Sequence, residues 1–97
     1  MSFRILWTES ARQELRERIA FIADRSPSAA TKLFEQMVDA VVPASEHPYL
    51  FREGRVPSTR EIVAHPNYIV VYQVRVDTIV VVQVLHAREQ YPPVKAK

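Results

Sequence analysis

Thr59-Arg60-Glu61-Ile62-Val63 leads through His65-Pro66-Asn67 into Tyr68-Ile69-Val70-Val71-Tyr72-Gln73-Val74. After the short turn Arg75-Val76-Asp77 the chain continues Thr78-Ile79-Val80-Val81-Val82-Gln83-Val84-Leu85-His86-Ala87-Arg88-Glu89-Gln90-Tyr91-Pro92. β-branched and aromatic residues dominate three runs separated by turn residues, the pattern of consecutive antiparallel strands. Side chains alternate across a strand, so the runs can be sorted by face. Gln73 shares a face with Ile69 and Val71; Tyr68, Val70, Tyr72 and Val74 share the other. By strict alternation Gln83 joins Ile79, Val81 and Leu85, opposite Val80, Val82 and Val84. The glutamines mark an open face, expected to carry Ile69, Val71, Ile79 and Val81. The other sets are expected to pack on helices. An apolar open face of this kind is the mark of a contact surface.

The helices lie upstream. Phe3 to Trp7 is a short β-prone run, expected as a first strand. Thr8 and Ser10 are both candidate N-caps, and Ser10 with Gln13 fits a capping box. Ala11, Leu15, Ile19, Ile22 and Ala23 then recur at helical spacing, with Arg12, Glu14, Arg16 and Glu17 on the opposite face. This helix is expected to end near Asp24. Ser26-Pro27 reads as a cap followed by proline at the first helical position, where its missing N–H is harmless. Ala30, Leu33, Phe34, Met37 and Val41 continue a second helix, which must bend or stop near Pro43. The short connection makes an antiparallel helical hairpin. Its apolar stripes need the sheet to complete a core. Residues 45–58, with the single glycine Gly54, read as a loop.

The 97 residues suit one small domain, taken as 1–97, and 47% hydrophobic residues are enough for a packed interior. No cysteine is present, which excludes disulfides and thiolate metal sites and fits a reducing cytoplasm. The start of the chain does not read as a signal peptide, and no run approaches the ~20 apolar residues needed to cross a bilayer. Residues 1–50 hold six Lys/Arg against seven Asp/Glu, and residues 51–97 hold seven against four. The sheet half is therefore the one suited to an anionic partner. His47, His65 and His86 share no metal-ligand spacing, so neither metal nor cofactor is expected.

Several blocks resemble the RelE/ParE superfamily of toxins from bacterial type II toxin–antitoxin modules. They are Trp7-Thr8 leading into Ala11, Leu15, Ile19 and Ile22; Ser26-Pro27-Ser28-Ala29-Ala30; Gly54-Arg55-Val56-Pro57-Ser58-Thr59-Arg60-Glu61-Ile62-Val63; Asn67 to Tyr72; and Val84 to Pro92. The resemblance covers nearly the whole chain. It implies an α+β fold, β-α-α-β-β-β, in which a helical hairpin packs on a small twisted antiparallel sheet.

One branch of that superfamily cleaves mRNA on the ribosome; the other poisons DNA gyrase. Metal-free RNA cleavage needs a base, an acid and positive charge at the phosphate. Aligned on Asn67-Tyr68, two basic positions of the nuclease branch are Ile62 and Ile69 here, which can neither move a proton nor hold a phosphate. Arg60, His86, Arg88 and Tyr91 would form the remaining nuclease set. His86 suits either acid–base work or a packed role. The Gly54-to-Glu61 block and the Leu85-His86-Ala87-Arg88 ending look more like the gyrase-poisoning branch. On that reading Arg60, Ile62, Ile69, Val71 and Arg88 form a target-binding face, apolar at the centre and charged at the rim. An inactive relative that only binds antitoxin is the third reading. The resemblance further implies an antitoxin whose C-terminal segment wraps the hairpin and sheet. Arg12, Leu15, Arg16, Ile19 and Phe34 are its expected contacts, with Glu17 on the rim.

Overall fold

Thr8 ends one element and starts the next. Its backbone N–H donates to Val81 O at 3.0 Å, and its hydroxyl accepts from Ala11 N at 3.1 Å. Thr8, not Ser10, is thus the N-cap of the first helix, and Ser10 lies inside it. In the computed structural model, which describes residues 2–92, the elements are β1 (Arg4–Trp7), α1 (Glu9–Ala23), α2 (Pro27–Asp39), α3 (Val42–Glu46), β2 (Arg52–Glu53), β3 (Arg60–His65), β4 (Tyr68–Val74) and β5 (Thr78–His86). The first helix ends where expected, with Asp24 as C-cap. Ser26 caps α2 by accepting from Ala29 N, with Pro27 next to it. The second helix stops at Asp39, and Pro43 sits in the first turn of the short α3, a position that asks nothing of its missing N–H.

α1 and α2 pack on each other as a hairpin, and α1 also lies against β5. The five strands form one sheet in the order β1-β5-β4-β3-β2. The pairs β5-β4, β4-β3 and β3-β2 are antiparallel, but β1 runs parallel to β5. The sheet is therefore mixed, not antiparallel throughout, and the 45–58 loop contains one short strand.

A bulge decides the two faces. Val71 stands opposite Gln83 and Tyr72 opposite Val81, so Val82 has no partner on β4. One extra residue puts the alternation before it out of step with the alternation after it. Ile79 and Val81, expected beside Gln83 on the open face, belong instead to the helix-side core with Tyr72, Val70 and Val84. Leu15, Leu33 and Met37 close this core from the helices. On the other face Ile69, Val71 and Leu85 form a second cluster, against which Val82, Ala87 and Tyr91 pack.

β1 pairs with β5 only as far as Val81, which leaves the backbone edge of β5 without a strand neighbour beyond it. Two side chains one turn apart on α1 supply the missing partners at Val84. Glu14 accepts from Val84 N at 2.8 Å, and Arg18 donates to Val84 O at 3.3 Å. An edge satisfied in this way is closed to strand addition.

The loop into β3 is held by Tyr72, whose hydroxyl donates to Pro48 O at 2.6 Å, and by Gly54, whose N–H donates to Thr59 O at 2.7 Å. Between them Ser58 takes a positive φ of 68°. A Cβ on Gly54 would run into the Thr59 hydroxyl, itself engaged with Val56 O. Gly54→Ala is expected to destabilise by about 1–3 kcal/mol, the ordinary range for overpacking. Urea denaturation checks it; an unchanged midpoint would mean that the loop shifts freely.

Candidate functional site

Two surfaces carry the functional features. The first lies along the hairpin. Leu15, Arg16, Ile19, Ala20 and Phe34 line a hollow of about 430 Å³, and it adjoins another of about 390 Å³ lined by Trp7, Arg12, Leu15, Arg16, Phe34 and Val38. All five expected antitoxin contacts, Arg12, Leu15, Arg16, Ile19 and Phe34, thus meet at one apolar groove. Phe34 is 48% exposed and Val38 36%, although both are apolar. Arg16 is held at the rim by Glu9 at 2.8 Å and by Gln13. Sequence reasoning missed Trp7 and Val38. The spacing of Val38 four residues after Phe34 was the available signal. Glu17 does not rim this groove; it lines a separate cavity with Arg18 and Phe21.

The second surface is the sheet face away from the helices, and here the structure corrects the expected target-binding set. Ile62 stands opposite Val70 and is buried in the helix-side core. Ile69 and Val71 do lie on the outer face but are covered, at 5% and 0% exposure, beneath the segment that carries Ala87 and Tyr91. Ala87 N donates to Asn67 O at 2.8 Å, and Glu89 N donates to His86 O at 2.9 Å, which closes the turn after β5. Arg60 belongs to the opposite face. Its guanidinium donates to Phe51 O at 2.7 Å and Tyr49 O at 3.3 Å, and it sits over the Tyr49 ring. Arg88 is exposed in the turn after β5. The other four expected residues are therefore divided between two faces and form no exposed apolar plate.

What the outer face does present is a charged cluster that strand alternation alone did not bring together. Glu61 stands opposite Val71, and its side chain is only 2% exposed. It accepts from Arg52 at 2.9 Å, and from the Arg55 backbone N–H at 3.0 Å and guanidinium at 3.1 Å. Burial pushes the Glu61 carboxyl up, but the Arg55 and Arg52 donors outweigh it and hold the group below the usual carboxylate range. The Arg55 guanidinium lies 5.8 Å from the centre of the Tyr91 ring. Burial, then the neighbouring Glu61 charge, raises the Tyr91 phenol. The alternation of Glu61 with Arg60 was the available signal for part of this cluster: in β3 the two must face opposite sides.

The expected nuclease set does not converge. Arg60 stands opposite Tyr72 and His86 opposite Tyr68, four residues apart along β4, which is about 13 Å of strand. Tyr91 is on the other face. His86 Nδ1 accepts from Arg88 N at 3.1 Å, and its ring packs edge-on against Tyr68. His86 and Tyr68 line a cavity of about 510 Å³ with Glu14, Glu17, Arg18 and Phe21. Burial raises the Glu14 carboxyl there, and its bond from Val84 N–H acts against the rise. Among the described residues no three His, Cys, Asp or Glu side chains gather as metal ligands. Among them no helix is long and apolar enough to cross a membrane.

The family model described as the ParE toxin of the type II toxin–antitoxin system parDE matches residues 5–91. The putative toxin Y4kP of Sinorhizobium fredii is 38% identical over 92 residues, covering 94% of this chain and 95% of that one. Among solved structures, the chromosomal ParDE toxin–antitoxin system of P. aeruginosa superimposes with a TM-score of 0.78 at 18% identity, covering 88% of this chain and 96% of the other. The RelBE2 complex of Mycobacterium tuberculosis gives 0.60 at 17% identity, covering 89% and 99%. At these identities the two structures show a shared fold.

Proposed function

The chain belongs to the ParE toxin family of type II toxin–antitoxin systems, a growth-inhibiting toxin with a cognate antitoxin as partner, and from that premise we propose that it arrests growth by binding and poisoning DNA gyrase in the cytoplasm. The observation that supports this reading over mRNA cleavage is the dispersal of the acid–base groups. Arg60 is engaged by two backbone carbonyls, His86 sits at the far end of the sheet, and Tyr91 is on the opposite face. Ile62 and Ile69, at the positions where the nuclease branch is basic, are buried and apolar. Such a set holds no substrate phosphate between a base and an acid. A protein target asks only for a surface.

The antitoxin reading is a proposal of the same kind. An apolar stripe of the antitoxin's C-terminal segment fills the groove of Leu15, Ile19 and Phe34, and its acidic residues meet Arg12 and Arg16. Inducing the chain alone in bacteria tests the target. Growth arrest with an SOS response is the expected outcome. Arrest through stalled translation, with mRNA cut in the ribosomal A site, would replace gyrase by the ribosome. No arrest would mean an inactive relative.

A further inference from the structure

The Arg52–Arg55 cluster has one carboxylate between two guanidiniums, and a third arginine lies on the same side. Gln73 is two residues along β4 from Val71, the partner of Glu61, and so shares its face. Arg75 donates to Gln73 Oε1 at 2.8 Å, which brings its guanidinium to that face. Glu53, opposite Arg60, points to the other side. Asp77 lies in the turn after Arg75, where it accepts from the Thr78 hydroxyl, and Glu14, bonded to Gln83, acts on Tyr91 from the β5 side. The outer face thus carries Arg52 and Arg55 beside Glu61 at the β2 edge, and Arg75 just past the end of β4.

Arg52 and Arg55 are held by Glu61 but still have donors to offer. The Arg52 and Arg55 side chains remain 54% and 39% exposed while bonded to a carboxylate that is 2% exposed. Each keeps N–H groups with no partner among the described residues. Guanidiniums held in place lose little conformational entropy on binding, and their planar forks match phosphate oxygens. The Tyr91 ring beside Arg55 adds a flat aromatic surface.

We propose that the outer sheet face, through Arg52 and Arg55 at its β2 edge and Arg75 past the end of β4, binds the phosphodiester backbone of duplex DNA. The inference rests on the gyrase reading, because that target holds DNA when it is poisoned, and it names the nucleic acid as part of the toxin's contact. Recognition is by phosphate alone, so it is independent of base sequence and sensitive to salt.

The test is fluorescence anisotropy of an end-labelled duplex of mixed sequence, titrated with the full chain at a series of salt concentrations. Three phosphate contacts predict a log–log slope of about −2.7, at ~0.9 per contact. Arg52→Gln and Arg75→Glu are expected to reduce the slope by about one contact each. Arg75→Glu leaves the Glu61 clamp intact, so it is readable even if Arg52→Gln perturbs the loop; circular dichroism checks folding. No binding at low salt, or slopes unchanged in both variants, overturns the proposal. So does equal or tighter binding of a polyglutamate peptide, which would assign the edge to an acidic protein segment. A supercoiling assay run beside it separates the two readings. Undiminished gyrase inhibition by Arg75→Glu sinks the DNA contact and leaves gyrase as target. Duplex binding by a chain that does not inhibit gyrase sinks the target and, with it, the role given to this edge.

Discussion

Glu61→Ala is expected to lower stability by about 2 kcal/mol, within what losing hydrogen bonds to a charged group costs, because both guanidiniums stay more than a third exposed and are rehydrated. The carboxylate accepts hydrogen bonds from Arg52 of β2, from the Arg55 backbone and from the Arg55 guanidinium. Without it the partly buried Arg55 N–H and two guanidiniums lose their partner at once. The melting temperature should fall by roughly 8 °C or more, since each 1 kcal/mol shifts a domain of this size by ~4–8 °C. The effect has a pH signature. The folded Glu61 carboxyl titrates below its ordinary value, so the folded state binds fewer protons there than the unfolded state. Its contribution is full above the unfolded pKa and is lost as pH falls through the folded one. The stability gap between wild type and Glu61→Gln should therefore be wide at neutral pH and narrow below about pH 4. Denaturant titrations at both pH values measure it. A gap that stays constant with pH, or an alanine variant within ~0.5 kcal/mol of wild type, would show that the cluster is a surface ornament.

Phe34→Glu is expected to weaken binding of the cognate antitoxin by about 100-fold, the effect of a hot-spot loss of ~2.7 kcal/mol. Phe34 is half exposed, so the substitution removes a groove wall without opening the core. A carboxylate there would also face the acidic segment proposed to bind between Arg12 and Arg16. Arg16→Glu, at a more exposed rim, should lose about tenfold. Isothermal titration calorimetry with purified antitoxin distinguishes the outcomes. Nanomolar binding by wild type with the stated losses supports the groove. Unchanged affinity in Phe34→Glu places the antitoxin elsewhere.

The elements built from local chemistry are legible in the sequence. Thr8, Ser26-Pro27 and Asp24 bracket the helices by capping rules that act within a few residues, and the apolar groove along the hairpin follows from the stripes of α1 and α2. The faces of the sheet are not legible, because one unpaired residue, Val82, moves Ile79 and Val81 under the helices. Alternation counted from Gln83 has no way to register a bulge. The pairing of β1 with β5 joins opposite ends of the chain, and no local signal specifies it. Ile69 and Val71 are apolar and on the outer face, as alternation predicts, but the return of Ala87 and Tyr91 over them makes a second small core where an open plate was expected. Ile62 was misplaced for a simpler reason. Its register against Val70 puts Glu61 and Val63, not Ile62, on the outer side.

The most direct measurement is a supercoiling assay with purified gyrase, relaxed plasmid, ATP and the purified chain. Loss of supercoiling is expected, with cleaved plasmid accumulating only when gyrase is present, and reversal on adding the antitoxin. Normal supercoiling with no cleaved plasmid, while the same preparation cuts mRNA in the ribosomal A site and Arg88→Ala abolishes the cutting, would contradict it.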